Sequence, residues 1–215
     1  MRYEDRTKLH SPERLEFENG VEQLDNGVYH VAVLTPMRGG SAAMFGWWFG
    51  TFMQTTEHYK MWHPRDHVWM DWDNKSPGTH VGAQHLVHEY IGGKLQKLRI
   101  SFLDPVENMG SEAHAPGRLF VCAQVGVLGR AVEVARMVHA VYDTEWGCEL
   151  RSHFWMGLVE TDQLGGLVQR IANTRFARGR ALSHSAAQAL EAHCHEEMSN
   201  LGRFLPDLYA RERNH

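Results

Sequence analysis

The sequence predicts an α+β fold in which a curved antiparallel sheet wraps around a long C-terminal helix. Two observations predict it. Short segments rich in β-branched and aromatic residues, separated by turn signals, recur between about Val21 and Leu158. The last long segment, Ser183 to Leu205, instead repeats apolar residues at helical spacing. Strands followed by one long amphipathic helix favour two packed layers, with a ligand cavity between sheet and helix.

Length and composition exclude several classes of protein. The 215 residues, 43% of them hydrophobic, can bury a full core, and we expect an N-terminal arm (1–20) and a single domain (21–215). The net charge of −4 and the absence of a basic run argue against nucleic acid or an anionic membrane as partner. No apolar run approaches the ~18 residues that cross a bilayer. Three scattered cysteines indicate a reducing cytoplasm, and a homodimer is the default assembly.

The N-terminal quarter contains an arm, a hairpin and a helix. Residues 1–20 read as an irregular or partly helical arm with little to bury. The turn signal Asp25-Asn26-Gly27 predicts a hairpin over Val21 to Leu34, which Pro36 should end. Ser41 can then cap a helix from Ala42 to about Met53, and this helix is apolar nearly all round and therefore buried.

A short helix and three strands follow. Thr55 caps the helix and Pro64 closes it, because the proline ring and its missing N–H oppose continuation. An extended run, His67 to Asp73, comes next. Two strands separated by Gly92-Gly93 come after it. Side chains alternate along a strand, so in the first of these one face is shared by His85, Val87, Glu89 and Ile91.

The second half of the chain passes from strands to helices. Three further strands are predicted at Leu119 to Val127, Val132 to Tyr142 and Cys148 to Leu158. The middle one also fits a helix, but its β-branched content favours a strand. The pattern then becomes helical from Gln163 to Arg175. A basic loop, Arg175 to Arg180, should precede the terminal helix, which Pro206 ends or kinks.

The inward face of the terminal helix carries two ionisable residues. At ~100° per residue, one sector about 80° wide holds all of the following: Ala186, Leu190, His193, Glu197, Leu201 and Phe204. His195 points to the opposite side. A histidine and a glutamate one turn apart, with Cβ atoms about 6 Å apart, can bind one metal ion. The alternative is a hydrogen bond between the two side chains on a partly wet face.

Candidate partners for this pair occur in two other regions. His63 and His67 follow the short helix, and Glu89 lies on a strand. Two histidines and two carboxylates suit zinc, and less well iron or manganese. The competing histidines are His58, His85 and His88. His88 projects away from Glu89, whereas His85 shares its face and is a candidate cavity residue. Any of these histidines can instead be structural, and His10 and His30, in polar surroundings, are expected at the surface.

One stretch resembles a known family. The pair Trp47-Trp48, then Tyr59, then Trp62-His63-Pro64-Arg65-Asp66-His67 is similar to the diacetylphloroglucinol and phloretin hydrolases, whose W-x-P-x-x-H run ends in a zinc ligand eight residues after the tyrosine. The resemblance extends over most of residues 40–205. It implies a helix-grip fold like that of the birch pollen allergen and START-like proteins. It also implies one Zn²⁺ per chain, held by His67, Glu89, His193 and Glu197.

The resemblance also implies an activity. The family consists of zinc-dependent hydrolases that cleave the carbon–carbon bond between an acyl group and a phenolic, phloroglucinol-like ring, so the partner is a small aromatic ketone. We expect catalytic roles for Tyr59, Glu89 and Glu197, and substrate contacts from Tyr59, His63 and His153. Two alternatives remain: a non-catalytic carrier of a hydrophobic ligand on the same fold, and a metal-dependent hydrolase acting on another ketone.

Overall fold

The computed structural model describes residues 1–113, 115–161 and 165–213. Within them one antiparallel sheet curves around the C-terminal helix, in the order β1-β2-β8-β7-β6-β5-β4-β3. Its strands are β1 (Gly20–Gln23), β2 (Tyr29–Arg38), β3 (His67–Asp73), β4 (Gln84–Ile91), β5 (Lys94–Leu103), β6 (Arg118–Val127), β7 (Glu133–Thr144) and β8 (Gly147–Glu160). The α+β helix-grip prediction is confirmed, as is the strand assignment for Val132 to Tyr142.

The helices lie before β3, after β5 and at the C-terminal end. They are α1 (Ala42–Trp47), α2 (Thr56–Trp62), α3 (Pro105–Met109), α4 (Gly166–Ala172), α5 (Arg175–Ala181) and α6 (His184–Arg213). Two 3-10 segments, Tyr3–His10 and Ser111–Ala113, and a π-helical turn, Trp48–Phe52, complete the described helical structure. Among the described residues, no helix is both long and apolar enough to cross a bilayer.

The predicted first hairpin forms, but its second strand is longer than expected. Gly27, at φ 85°, closes the turn between β1 and β2. Strand β2 continues through Pro36, which pairs with Glu149 of β8. Strand β1 pairs only with Tyr29 to Ala32, so the rest of β2 is an edge on that side. Proline is tolerated there because no partner strand needs its N–H.

The predicted apolar helix after Ser41 forms in two parts. The Ser41 hydroxyl accepts a hydrogen bond from the Met44 amide and caps α1. The chain then widens into a π-helical turn, Trp48–Phe52, in which the Met53 amide donates to the Trp48 carbonyl at 2.9 Å. The predicted burial is confirmed for Trp48 and Phe49, which are almost inaccessible, whereas Ala43 and Thr51 are exposed.

Two predictions near the C-terminal end are wrong. The expected basic loop is helix α5, which Thr174 caps and Arg178 anchors by donating from Nε to the Gly157 carbonyl at 2.7 Å. Of the two outcomes predicted at Pro206, an end or a kink, the end is wrong: helix α6 continues to Arg213, and the turn after Pro206 buries Leu208. The predicted helical start at Gln163 lies outside the described residues.

The sheet has a core on each face. The concave core packs α1, α2 and α6 against the strands, through buried residues such as Trp48, Val87 and Leu201. The convex core lies beneath the N-terminal arm and contains Leu9 and Trp155, both 0% exposed. The expectation that residues 1–20 bury little is therefore wrong, because the arm covers apolar residues on the outer face of the sheet.

Candidate metal centre and active site

Helix α2 and the start of β3 are fixed against α6. Thr55 Oγ1 caps α2 by accepting a hydrogen bond from the His58 amide at 3.3 Å. Trp62 Nε1 donates to the Glu197 carbonyl at 3.0 Å, which ties α2 to the middle of α6. After Pro64 the chain turns into β3, where His67 pairs directly with Glu89 of β4. Three distant parts of the sequence therefore meet at one end of the sheet.

Four side chains converge at this point, and we call them the cavity cluster: His67, Glu89, His193 and Glu197. His67 Nε2 lies 3.4 Å from Glu197 Oε2 and 3.7 Å from Glu89 Oε2. His193 Nε2 lies 3.9 Å from Glu89 Oε2 and 4.0 Å from Glu197 Oε2. All four residues are less than 9% exposed. The structure thus brings together the four predicted metal ligands.

The hydrogen bonding of the two imidazoles leaves nitrogens available for a metal. His67 Nδ1 lies 2.9 Å from the Tyr59 carbonyl, which accepts only from an N–H, so the Nε2 lone pair faces the cluster. Within the described chain, His67 Nε2 and both ring nitrogens of His193 are buried without a hydrogen-bond partner. One donor atom each from His67, Glu89 and His193 lies within 4.8 Å of the others. Unpartnered imidazole nitrogens beside two carboxylates fit a divalent cation.

Burial shifts the protonation of the cluster in the absence of a cation. It lowers the pKa of His67 to about 4 and raises the pKa of Glu197 to about 8. Burial, and then the neighbouring Glu89 carboxylate, raise the pKa of Tyr59 well above its ordinary value. The neutral Tyr59 hydroxyl donates a hydrogen bond to Glu89 Oε2. A bound cation would favour the ionised carboxylates, and Tyr59 would still supply a proton donor beside them.

Asp66 and His63 lie behind His193. The His63 and His193 rings stack with centroids 4.9 Å apart. Asp66 Oδ2 lies 3.7 Å from His193 Nδ1 and 3.7 Å from His63 Nε2. These three residues form a second group whose donor atoms could hold a cation. Sequence reasoning missed Asp66, although its place in the Trp62–His67 run, one residue before a predicted ligand, was an available signal.

A cavity of about 490 Å³ opens beside the cluster, between the sheet and α6. Tyr59, Glu89, His193 and Glu197 form part of its wall, together with His85 and His139. The ring of His85 stacks on Trp72, its Nε2 is buried without a partner among the described residues, and burial lowers its pKa to about 3. His139 Nδ1 forms a hydrogen bond with Ser152 Oγ at 2.8 Å. No sequence signal distinguished His139 from a core residue.

Comparison with known proteins identifies the family of this chain. Residues 1–210 match the DAPG hydrolase PhiG domain. The chain belongs to this family. Phloretin hydrolase from Eubacterium ramulus is 26% identical over 226 residues, covering 99% of this chain and 79% of that protein. The 2,4-diacetylphloroglucinol hydrolase of Pseudomonas protegens is 26% identical over 229 residues, covering 96% of this chain and 72% of that protein. Among solved structures, major latex-like protein 151 of Panax ginseng has a TM-score of 0.41 at 17% identity, covering 73% of this chain and 99% of that one.

Two residues that were predicted to contact the substrate, His153 and His63, lie outside the cavity wall of this DAPG hydrolase family member. Phe154 and Met156 of β8 face the cavity, so His153 must face outward. Its Nδ1 lies 3.0 Å from His30 Nε2, on the convex side, and the predicted contact of His153 with substrate is corrected accordingly. His63 is fully buried behind His193 and is not part of the cavity wall.

The other histidines considered from sequence are also placed. His58 stacks on Phe52, and His88 packs against Trp69 on the face of β4 away from the cluster, as predicted. His195 is exposed, also as predicted. His30 was expected at the surface and is 0% exposed, because Phe17 and Trp155 cover its ring.

Proposed function

We propose that this protein is a zinc-dependent hydrolase that cleaves the carbon–carbon bond between an acyl group and a phenolic, phloroglucinol-like ring. The observation that carries the proposal is the convergence of the four cavity-cluster residues beside a cavity large enough for an aromatic ketone, with Glu89, His193 and Glu197 in its wall. Membership of the DAPG hydrolase family, and the names of the two hydrolases to which the chain is similar, support the reaction class.

The cluster residues would hold one Zn²⁺ per chain through His67 Nε2, His193 Nε2 and the two carboxylates. When bound there, zinc supplies a Lewis acid that polarises a carbonyl and lowers the pKa of water toward ~7. The Tyr59 carbonyl holds His67 in the tautomer that leaves Nε2 free. Trp62, by bonding the Glu197 backbone, keeps α2 and α6 at the separation that the ligand set requires.

The reaction needs a proton at the ring carbon that loses the acyl group. Overall, one water molecule is consumed: its oxygen and one proton end on the acyl carbon as a carboxylic acid, and the other proton ends on the ring. The Tyr59 hydroxyl already donates to Glu89 Oε2, so it can orient a phenolic oxygen beside that carboxylate. Glu89 and Glu197 are the carboxylates placed to carry the proton.

A non-catalytic carrier is the second candidate, because most side chains lining the cavity are apolar. A carrier needs no metal, and its inward histidines and glutamates would then be satisfied by each other or by water. The third candidate keeps the metal and the ligands but acts on a different ketone. Metal content separates the first candidate from the second, and a substrate panel separates the first from the third.

The first experiment measures metal in protein purified without added metal, by mass spectrometry of digested samples. We expect near-stoichiometric zinc in the wild type and a large loss in His193→Ala and Glu197→Ala. His195→Ala, on the exposed side of the same helix, is the matched control and should retain the zinc. Stoichiometric iron or manganese would replace zinc in the proposal, and metal content unaffected by His193→Ala would contradict the site.

The second experiment measures acid release from mono- and diacetylphloroglucinol, alongside aryl ketones that lack ring hydroxyls. We expect acetate from the acylphloroglucinols and none from unhydroxylated ketones, because only a hydroxylated ring can ketonise and accept the proton. Tyr59→Phe removes the donor to Glu89 and should lower kcat while leaving zinc content unchanged. Metal-loaded protein that cleaves no acylphenol would favour the third candidate.

We also propose a location and an assembly for the protein. We place the protein in the cytoplasm because Cys122, Cys148 and Cys194 are all free and buried, as suits a reducing compartment. A homodimer remains a prediction from the frequency of closed dimers among soluble proteins. Light scattering at micromolar concentration tests it.

A further inference from the structure

The cavity extends well beyond the cavity cluster, and its far part is aliphatic. We propose that the substrate is an acylphenol whose acyl group is an extended apolar chain, longer than acetyl, lying in an aliphatic channel that leads from the cluster to the cavity mouth. This inference rests on the proposed function, and it adds the class of acyl group that the enzyme accepts.

The helical wall of the channel is apolar over two turns. Leu190, Ala189 and Ala186 line the cavity on the N-terminal side of His193. At a rise of ~1.5 Å per residue, Ala186 lies about 10 Å along α6 from His193. Both alanines are small, so this stretch of helix leaves space between itself and the sheet. The channel therefore begins at a metal ligand and runs toward the start of α6.

The sheet wall opposite is apolar across four strands. His85 of β4 pairs with Ile100, Ile100 with Val125, and Val125 with Ala135. Ala135 in turn pairs with Met156 of β8. All of these side chains line the cavity. At ~4.8 Å between strands, this row extends roughly 19 Å from β4 to β8. Beyond His85 it offers no hydrogen-bonding side chain.

The mouth of the channel is polar again. Lys94, beside the β4–β5 turn, and Ser183 and Ser185, at the start of α6, line the cavity and are exposed. The turn lies directly against the helix, since a carbon added at Gly92 would come within 2.7 Å of Ala189 Cβ. Gln96, which pairs with the cluster residue Glu89, and His139 also line the cavity, so the aliphatic stretch is the part between the cluster and the mouth that is bounded by α6 and by the row from Ile100 to Met156.

This order decides which part of an acylphenol fits the channel. Ring hydroxyls placed in the aliphatic stretch would lose water without gaining partners, which is costly. Near the cluster, Tyr59 Oη and the unpartnered His85 Nε2 offer hydrogen bonds. The ring therefore belongs beside the cluster, and the apolar chain of the acyl group follows the channel toward the mouth. An acetyl group would leave most of the channel unfilled.

Binding tests the channel independently of turnover. Acetophenone, butyrophenone, hexanophenone and octanophenone differ only in acyl length and lack the ring hydroxyls that cleavage requires, so their Kd values can be measured by calorimetry on the metal-loaded wild type. Each methylene buried in the channel should lower Kd about three- to fourfold. A Kd that is independent of chain length would overturn the inference.

A matched pair of variants locates the effect. Ala186 and Ala192 are both exposed, but only Ala186 lines the cavity, so Ala186→Phe places a ring in the channel two turns from His193 and Ala192→Phe places the same ring outside it. We expect Ala186→Phe to reduce the ratio of acetophenone Kd to octanophenone Kd at least tenfold. Ala192→Phe should keep the wild-type ratio. Equal ratios in the two variants would show that the chain does not lie along α6, and would overturn the inference.

Turnover separates failure of this inference from failure of the proposed function. With acetyl-, hexanoyl- and octanoylphloroglucinol, kcat/KM should rise with chain length. Cleavage of the acetyl compound with no gain for the longer ones would overturn the channel and leave the proposed function standing. No cleavage of any of the three, with a chain-length dependence of ketone binding, would overturn the proposed function and retain the channel as a ligand site.

Discussion

Two groups of buried histidines and glutamates occupy opposite faces of the same sheet, and they differ in how their charges are balanced. The group on the convex face consists of Glu18, Arg151, His153 and His30, and we call it the outer network. Glu18 lies beside Arg151 and His153, and His153 contacts His30. The Arg151 guanidinium is 2.6 Å from Glu18 Oε1 and donates from Nε to Oε2 at 3.1 Å. In the cavity cluster, no arginine or lysine of the described residues makes an ion pair with Glu89 or Glu197.

The protonation of the carboxylates reflects this difference. Burial acts to raise the pKa of Glu18, but hydrogen bonds from His153, the Leu15 amide and Arg151 hold it below its ordinary value. Burial raises the pKa of Glu197 to about 8, because no fixed cation opposes it. Burial of polar groups is thus common to a structural network and a candidate site. What distinguishes the candidate site is that no arginine or lysine of the described residues pairs with its carboxylates, which suits the cation proposed there.

The largest effect should come from breaking the outer network. Arg151→Met removes the arginine that pairs with buried Glu18, and truncating one partner of a buried pair costs about 3–5 kcal/mol in the free energy of unfolding. Urea denaturation monitored by circular dichroism measures this change.

The control for this variant is Arg14→Met, which removes an arginine from the surface pair with Glu149. Exposed ion pairs contribute little, so no measurable change is expected. If Arg151→Met is as stable as Arg14→Met, the outer network does not stabilise the fold, and the contrast with the cavity cluster fails.

The next effect concerns the response of each region to zinc. Metal that binds only the folded state at roughly 100 times its Kd stabilises the protein by about 2.7 kcal/mol, and the melting temperature measured with and without a chelator reports it. His193→Ala should abolish this response. His153→Ala, in the outer network, should lower the melting temperature of the metal-free protein and keep the response to zinc.

The opposite pattern would reverse the assignment of the two regions. A zinc response that survives His193→Ala but disappears in His153→Ala would place the cation on the convex face. His193→Ala and His153→Ala each remove one buried imidazole, so a difference between them does not arise from the loss of a buried ring alone.

Sequence reasoning succeeded where the signal was local. The Asp25–Gly27 turn, the Gly92-Gly93 turn and the caps Ser41 and Thr55 each mark their own element, and the structure places these elements as expected. Likewise, the spacing of His193 and Glu197 on one helix decides that both point inward. These features depend on a few consecutive residues, so the order of pairing in the sheet does not affect them.

Sequence reasoning failed where the answer depends on what covers a residue. His30 and His153 belong to adjacent strands, and only the pairing of β2 with β8 and the cover from the N-terminal arm bury them on the outer face. The register of β8 also decides that Phe154, and not His153, faces the cavity. Alternation along a strand fixes which residues share a face, but not which face is concave.

A smaller effect should come from Asp66, which bridges the cluster to its surroundings. Its Oδ2 lies 3.7 Å from His193 Nδ1, where a carboxylate can orient a metal-binding imidazole. Asp66→Asn should weaken zinc binding roughly ten- to a hundredfold, measured by competition with a chromogenic chelator. Asp71→Asn, at an exposed site on the neighbouring strand β3, is the control and should bind zinc as the wild type does. Equal affinities in the two variants would remove Asp66 from the site.

The smallest effect per pH unit is the pH dependence that His30 of the outer network contributes. Burial lowers the pKa of His30 to about 4, although the nearby Glu22 carboxylate opposes this shift; His153 and the Met1 amine are the other charged neighbours. Between about pH 6.5 and pH 4, His30 is protonated in the unfolded chain but neutral in the folded chain. The stability of metal-free protein should therefore fall as pH is lowered across this window, with His30 contributing at most about 1.4 kcal/mol per pH unit.

His30→Gln should reduce the slope of unfolding free energy against pH by the equivalent of up to one proton, and the exposed-site variant His195→Gln should not. An unchanged slope in His30→Gln would mean that His30 is already charged in the folded protein, and that the outer network is balanced by a histidinium as well as by Arg151.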